Sequence, residues 1–195
     1  MDRRDFLKAV GAAGLSSAFG SGHAAAGPGD SNGAAAADAP TLPQVPKRKL
    51  GSLTRPDGSG RQVPLEVPCL SFGTFQVDTE NQILLRKTLQ WGINYWDTAY
   101  NYAGGNSELG IGKFLARNPG IRKDLFIASK ASRTTTIADM EDRLQTSLKR
   151  MNTDCIDLYY LHELEQIDRL NKDLRDWAKS AKDRGLIRFF GFTVH

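Results

Sequence analysis

Four apolar, β-rich runs recur along this chain at nearly equal intervals: Ile93 to Thr98, Leu125 to Lys130, Ile156 to His162 and Ile187 to Phe192. Between them lie segments with helical periodicity. Ile137, Met140, Leu144, Leu148 and Met151 fall on one helical face, and Leu170, Leu174, Trp177, Ala178 and Ala181 repeat the pattern, closed by Gly185. Strands that are apolar almost throughout, each separated by one amphipathic helix, imply a parallel sheet covered by helices on at least one face. The pattern therefore specifies a βα-barrel or a doubly wound sheet. A thirty-odd-residue period also occurs in helical solenoids, but these repeats contain strands and show no self-similarity residue by residue.

Upstream, the same alternation is predicted to begin with a strand near Cys69 to Phe72. Asp78 is placed to cap a helix carrying Ile83, Leu84, Leu85 and Leu89, with Gly92 as its stop, and Ser107 to Arg117 is predicted helical up to the turn at Asn118-Pro119-Gly120. Before the first core strand, "KRKLGS" and "RQVPLEVPCLSFGT" flank the turn sequence "RPDGSG" and predict a hairpin.

Composition agrees with a globular domain, at 40% hydrophobic and 25% charged residues. The net charge of +4 is spread over interleaved acids and bases, which argues against nucleic acid as a partner. Cys69 and Cys155 lack the close spacing of a zinc or redox pair and are expected to be buried small hydrophobes without a disulfide.

The N-terminus reads differently. "MDRRDFLKAVGAAGLSSAFGSGHAAAGPGD" joins a charged start to a weakly apolar Gly/Ala-rich stretch and then small residues, the layout of an export signal. Arg3 and Arg4 ahead of Phe6 and Leu7 resemble a twin-arginine leader, with a cleavage site at Ala24-Ala25-Ala26. The stretch is too short and too rich in Gly and Ala to span a bilayer stably. The expected organisation is a signal peptide over residues 1–26, a disordered linker over 27–46 and a barrel domain over 47–195. Passage through the twin-arginine export machinery to the periplasm is the corresponding expectation.

Asp97, Lys130, His162 and His195 each stand at or next to the C-terminal end of a predicted strand, at spacings of 33, 32 and 33. In a βα-barrel those ends form one rim around one mouth, so four polar groups in register point to a common site. Tyr102 follows Asp97 in the same loop. A tyrosine hydroxyl needs a neighbouring cation to act as an acid near neutrality, and Lys130 is the candidate cation. Asp97 would orient that ammonium, and His162 would hydrogen-bond a substrate oxygen. An acid aimed at an oxygen that gains charge suits carbonyl reduction, with hydride from a cofactor.

The runs "GINYWDTAYNYAGGNSELGIGKFL", "LFIASK", "IDLYYLHE" and "IRFFGF" resemble, in order, the successive strand-end motifs of the aldo-keto reductases. That resemblance implies a (β/α)8 barrel, NADP(H) as cofactor, a small-molecule carbonyl substrate, and Asp97, Tyr102, Lys130 and His162 as a catalytic tetrad. Tyr102 would be the proton donor, Lys130 its activating cation, Asp97 the partner of Lys130, and His162 the group orienting the carbonyl. Gly73 and Thr74 match the point where the family's backbone approaches the nicotinamide ribose, and Asp97 lies beside them. Ser107 and Glu108 match a family "SE" pair, for which helix capping is the favoured role. Where the family commonly carries Ser-Asn for the nicotinamide carboxamide, this chain carries Thr193-Val194; Thr193 retains a hydroxyl, Val194 offers no side-chain hydrogen bond.

A full barrel has eight strands and about 250 residues. Only about five of eight βα units are expected here, so the chain is expected to be a fragment or to be completed by a separate C-terminal polypeptide, and to be inactive alone. Rival readings are a nicotinamide-binding regulatory subunit that keeps the tetrad, an inert truncated product, and a metal-dependent hydrolase with Asp97, His162 and His195 as ligands. The last leaves Tyr102 and Lys130 without a task.

Overall fold

The computed structural model describes residues 42–57 and 59–194. The leader over 1–26, residues 27–41 of the linker, and His195 lie outside the described residues. The compact unit starts at Val45, which is buried and donates its N–H to Trp91 O at 2.9 Å.

Strands β1 (Lys47–Pro56) and β2 (Gln62–Pro68) form the antiparallel hairpin, with Lys47 opposite Pro68. Asp57 Oδ1 organises the turn by accepting from the Ser59 and Arg61 N–H groups at 2.9 and 3.0 Å. The parallel sheet follows in chain order: β3 (Phe72–Gly73), β4 (Tyr95–Asp97), β5 (Phe126–Ala131), β6 (Ile156–Leu161) and β7 (Ile187–Phe192). Helices α1 (Ile83–Gln90), α2 (Asn106–Arg117), α3 (Ile137–Met151) and α4 (Lys172–Asp183) fill the crossovers. The consecutive strand order is that of an incomplete βα-barrel, one of the two architectures that the alternation left open.

Two local readings need correction. Asp78 does not cap α1: its carboxylate accepts from the Glu80 and Asn81 N–H groups in a turn that ends before the helix starts. The buried face of α1 is Leu85 and Thr88, backed by Leu89, whereas Ile83 and Leu84 are exposed. Cys69 is exposed rather than buried, because the chain turns into a bend between β2 and the two-residue β3; Cys155 is half-buried, and both thiols are free.

Alternation along each strand divides the side chains between two clusters. Trp96, Ile127, Tyr159 and Phe190 belong to the large cluster with the helices, where Trp96 packs edge-on to Phe114 at 5.4 Å and donates to Thr88 Oγ1 at 3.1 Å. Truncating a side chain this well enclosed costs about 3–5 kcal/mol. Tyr95, Phe126, Leu158 and Phe189 lie on the opposite face, packed with Leu65 and Val67 of the hairpin. Asp97, Lys130 and His162 are an even number of residues beyond Tyr95, Phe126 and Leu158, so the same alternation carries them to that face.

α3 is the best-capped helix. Thr136 and Asp139 exchange side-chain and backbone hydrogen bonds in a capping box, and Asn152 ends the helix in a left-handed conformation. Close packing of α2 on α3 requires Gly112, where a Cβ would stand 2.0 Å from Arg150 O.

Candidate active site

The parallel register sets Gly73 beside Asp97, Asp97 beside Ala128, and Lys130 beside Tyr160, so the polar side chains emerge staggered along one rim. Lys130 is the centre of the arrangement. Its Nζ donates to Asp97 Oδ2 at 2.8 Å, to Thr98 O at 2.8 Å and to the Tyr102 hydroxyl at 3.1 Å. An ammonium has three hydrogens and no acceptor, and here each hydrogen has a partner. The Tyr102 oxygen is thus the acceptor of its bond with Lys130, which leaves the phenolic hydrogen to point out of the network.

Lys130 is nearly buried and Asp97 is 29% exposed on its side chain, so the pair sits in a partly desolvated environment that strengthens it. The ammonium also lies 4.6 Å from the Tyr102 ring centroid. Phe75 packs edge-on against Tyr102 at 5.2 Å, and the His162 ring stands 6.5 Å from it. The loop bearing Tyr102 is tied down at several points: Tyr100 N donates to Lys130 O at 3.0 Å, and Ser132 Oγ donates to Asn101 Oδ1 at 2.8 Å. Beneath the rim, burial foremost, then the neighbouring Tyr160, pushes the Tyr95 hydroxyl far above its ordinary value and keeps it neutral.

Behind the loop lies a second, buried network. Ser107 and Glu108 do not cap α2; both are fully buried. Ser107 Oγ donates to Thr74 O at 2.7 Å and stands 2.8 and 2.9 Å from the Thr74 and Thr98 hydroxyls. Glu108 accepts from Ser129 Oγ at 2.7 Å and from Arg150 Nη1 at 3.2 Å. Arg150 donates as well to Tyr100 O at 2.8 Å, and its guanidinium lies 4.4 Å from the Tyr100 ring centroid. Gly105 leaves the room for that guanidinium, since a Cβ there would stand 2.7 Å from Arg150 Cζ. A Ser or Glu after a glycine turn looks like a cap in sequence. The pleat position of Ser129, polar in a strand buried throughout, was the available sign of an inward partner for Glu108.

The residues expected at the cofactor separate into three situations. Gly73 is exposed at the rim with no atom within 4 Å of where a Cβ would be, so the backbone is open to a close-approaching ligand. Thr74 is fully buried, with its N–H and hydroxyl both donated to Asp97 O, and it supports Gly73 from behind. Thr193 Oγ1 stands 2.8 Å from His162 Nδ1 and accepts from Glu163 N–H at 3.0 Å. The open backbone at Gly73 leaves room at this rim for a closely approaching sugar. The rim offers the carboxamide no side-chain donor from exposed Val194. Among the described residues no three His, Cys, Asp or Glu side chains group as metal ligands.

A cleft of about 620 Å³ adjoins His162 and is lined by Arg133, Thr135, Glu163, Gln166 and Asn171 among others. Arg133 and Glu163 both hold left-handed backbone, at φ 56° and 57°. Such strained non-glycine positions concentrate at functional sites.

Residues 70–195 match the Aldo/keto reductase family. The chain belongs to that family. It is 28% identical over 168 residues to the NADP(+) aldo-keto reductase yakc of Schizosaccharomyces pombe, which covers 76% of this chain and 45% of the relative. It is 31% identical to aldo-keto reductase str7 of Strobilurus tenacellus, again over 76% of this chain and 45% of the relative. The holo form of aldo-keto reductase AKR11C1 from Bacillus halodurans superposes with a TM-score of 0.64 at 30% identity, over 77% of this chain and 51% of that one. The chain spans about half the length of these relatives. Their TIM-barrel fold accords with the five-stranded parallel sheet seen here.

Proposed function

We propose that this chain provides the catalytic half of an NADP(H)-dependent oxidoreductase that interconverts a carbonyl compound and its alcohol. The observation that carries the reading is the saturated Lys130 ammonium, which leaves the Tyr102 hydrogen as the donor facing outward. NADP(H), when bound, supplies or takes up the hydride. Tyr102 gives its proton to the carbonyl oxygen as charge builds there, or receives it back in the oxidation direction. Lys130 stabilises the phenolate left behind, and Asp97 holds Lys130 in place and neutralises it between turnovers. His162 fixes the carbonyl oxygen near Tyr102. Gly73 and Asp97 receive the ribose end of the cofactor.

The cleft beside His162 extends this reading to the substrate. Its named lining side chains donate and accept hydrogen bonds and carry both signs of charge, which suits a small, polar, neutral carbonyl compound over an aromatic one.

The N-terminal pattern supports export as a folded protein to the periplasm. Such a protein would either carry its cofactor across tightly bound or draw on a different electron source outside the cytoplasm. Replacing Arg3 and Arg4 by Lys should retain it in the cytoplasm; unchanged export would remove the twin-arginine reading.

The activity itself is tested on the protein purified from its own host, by NADPH oxidation with small aldehydes and ketones beside the Tyr102→Phe variant. Turnover is expected from the first and a loss of about 10²–10⁴ in the second. Equal turnover in both would sink the assignment, and cofactor binding without turnover in either would favour a regulatory subunit.

A further inference from the structure

Thr193 occupies a position expected to serve the cofactor, yet its hydroxyl is engaged on the substrate side. The end of β7 is held against β6 by Thr193 N donating to Leu161 O at 2.9 Å and Leu164 N donating to Thr193 O at 2.7 Å. This places Thr193 Oγ1 2.8 Å from Nδ1 of His162, whose side chain is nearly buried. The Glu163 N–H, aimed by that residue's left-handed backbone, donates into the same oxygen at 3.0 Å.

A threonine hydroxyl has one hydrogen and two lone pairs. If Nδ1 carried the imidazole hydrogen, Oγ1 would receive two N–H donors, and its own hydrogen would face no further hydrogen-bonding partner among those found for it in the described residues. If Nδ1 is bare, the Glu163 N–H occupies one lone pair and the hydroxyl hydrogen is donated to Nδ1. The second arrangement gives the Thr193 hydroxyl hydrogen, Nδ1 and the Glu163 N–H a partner each. The opposite edge of the ring agrees with it: Glu163 Oε1 lies 3.8 Å from Nε2, a setting that favours hydrogen on that nitrogen.

We propose that Thr193 is a positioning residue for His162, fixing its neutral tautomer with Nδ1 as acceptor and Nε2 as the hydrogen-bearing nitrogen. On the reductase reading, Nε2–H is then the donor that holds the carbonyl oxygen beside Tyr102. A hydroxyl whose hydrogen is committed to Nδ1 has none to give a carboxamide, which departs from the role that the family's Ser-Asn pair implied for this position.

The test is long-range proton–nitrogen NMR on the full chain labelled with nitrogen-15 histidine, at about pH 8, above the unperturbed imidazole range. The His162→Gln variant identifies the His162 signals by their loss. The expected result is a pyrrole-like Nε2 and a pyridine-like Nδ1 shifted upfield by the bond it accepts. Thr193→Ser should preserve that Nδ1 position, and Thr193→Val should move it downfield toward an unbonded pyridine-type nitrogen. A protonated Nδ1 in the unmodified chain, or an Nδ1 signal unmoved in Thr193→Val, overturns the proposal. Should the valine chain lose its dispersed amide spectrum, the unmodified chain and the serine variant decide the matter by the same criteria. None of these readouts depends on turnover, so an absence of reductase activity would count against the functional reading alone.

Discussion

Lys130 donates to the Tyr102 hydroxyl across 3.1 Å from the strand next to the one that carries the tyrosine's loop. The contact exists because β5 and the Asp97 loop are zipped at Thr98 N to Ala128 O and Tyr100 N to Lys130 O, at 2.9 and 3.0 Å. Lys130→Met should therefore lower turnover by about 10²–10⁴ while leaving cofactor affinity within a few-fold, as read by single-turnover NADPH oxidation and cofactor titration. Lys130→Arg should not restore the rate, because a planar guanidinium cannot direct hydrogens at Asp97, Thr98 O and Tyr102 together. Recovery in the arginine variant would show that charge alone suffices.

Glu108 is a buried carboxylate whose partners are a serine hydroxyl and one guanidinium. Removing it strands Arg150 beside Tyr100 and leaves Ser129 without its acceptor. Glu108→Ala should cost about 3–5 kcal/mol, the usual penalty for breaking one side of a buried pair. Glu108→Gln keeps an acceptor for Ser129 and should lose less. Urea unfolding monitored by Trp fluorescence measures both, and a near-neutral alanine variant would mean that the cluster relaxes freely.

The capping expectation for Ser107 and Glu108 failed, and the contrast with the capping box at Thr136 shows what a sequence exposes. A capping box is local, so Thr136 and Asp139 advertise it by spacing alone. The partners of Glu108 come from β5 and α3, at separations of 21 and 42 residues, and only the folded sheet brings them in. Asp97, Lys130 and His162 were legible because alternation along parallel strands converts a repeat in sequence into a shared face in space. Thr193 was placed at the right rim, but its hydrogen bond to His162 joins residues 31 apart and exists only once the end of β7 pairs with β6.

Acid should weaken α3 against α4 through Glu141. The bonds from Arg184 foremost, with those from Gln145 and Trp177, hold its carboxyl at about 2 against an ordinary value of 4.5. A carboxyl depressed on folding stabilises above its unfolded value and loses that contribution as protons bind the folded form. The stabilisation is thus complete above about pH 4.5 and lost as the pH falls toward about 2. Glu141→Gln should flatten the acid limb of a stability–pH curve in that window; an unchanged limb would assign acid sensitivity to other groups.

Cys69 is exposed and Cys155 half-buried, with burial pushing the Cys155 thiol up. A thiol reagent at mildly alkaline pH should label one site rapidly and the other only slowly. Peptide mapping should place the fast label on Cys69. Labelling of Cys155 first would mean that β6 opens at its N-terminal end.

Gly73 offers a way to separate cofactor binding from folding. Its backbone is extended, its rim is open for 4 Å beyond a Cβ, and a β-branched residue suits a strand, so Gly73→Val should leave the melting temperature nearly unchanged. The same side chain would stand where the nucleotide's ribose must approach the backbone. NADPH affinity of the complete enzyme should fall by about tenfold or more, a loss of at least about 1.4 kcal/mol. Calorimetric titration and thermal melting of one variant therefore give two independent answers. Lost affinity at constant stability would place the cofactor on β3, and unchanged affinity would move the ribose away from this rim, leaving the Lys130 and Tyr102 geometry untouched.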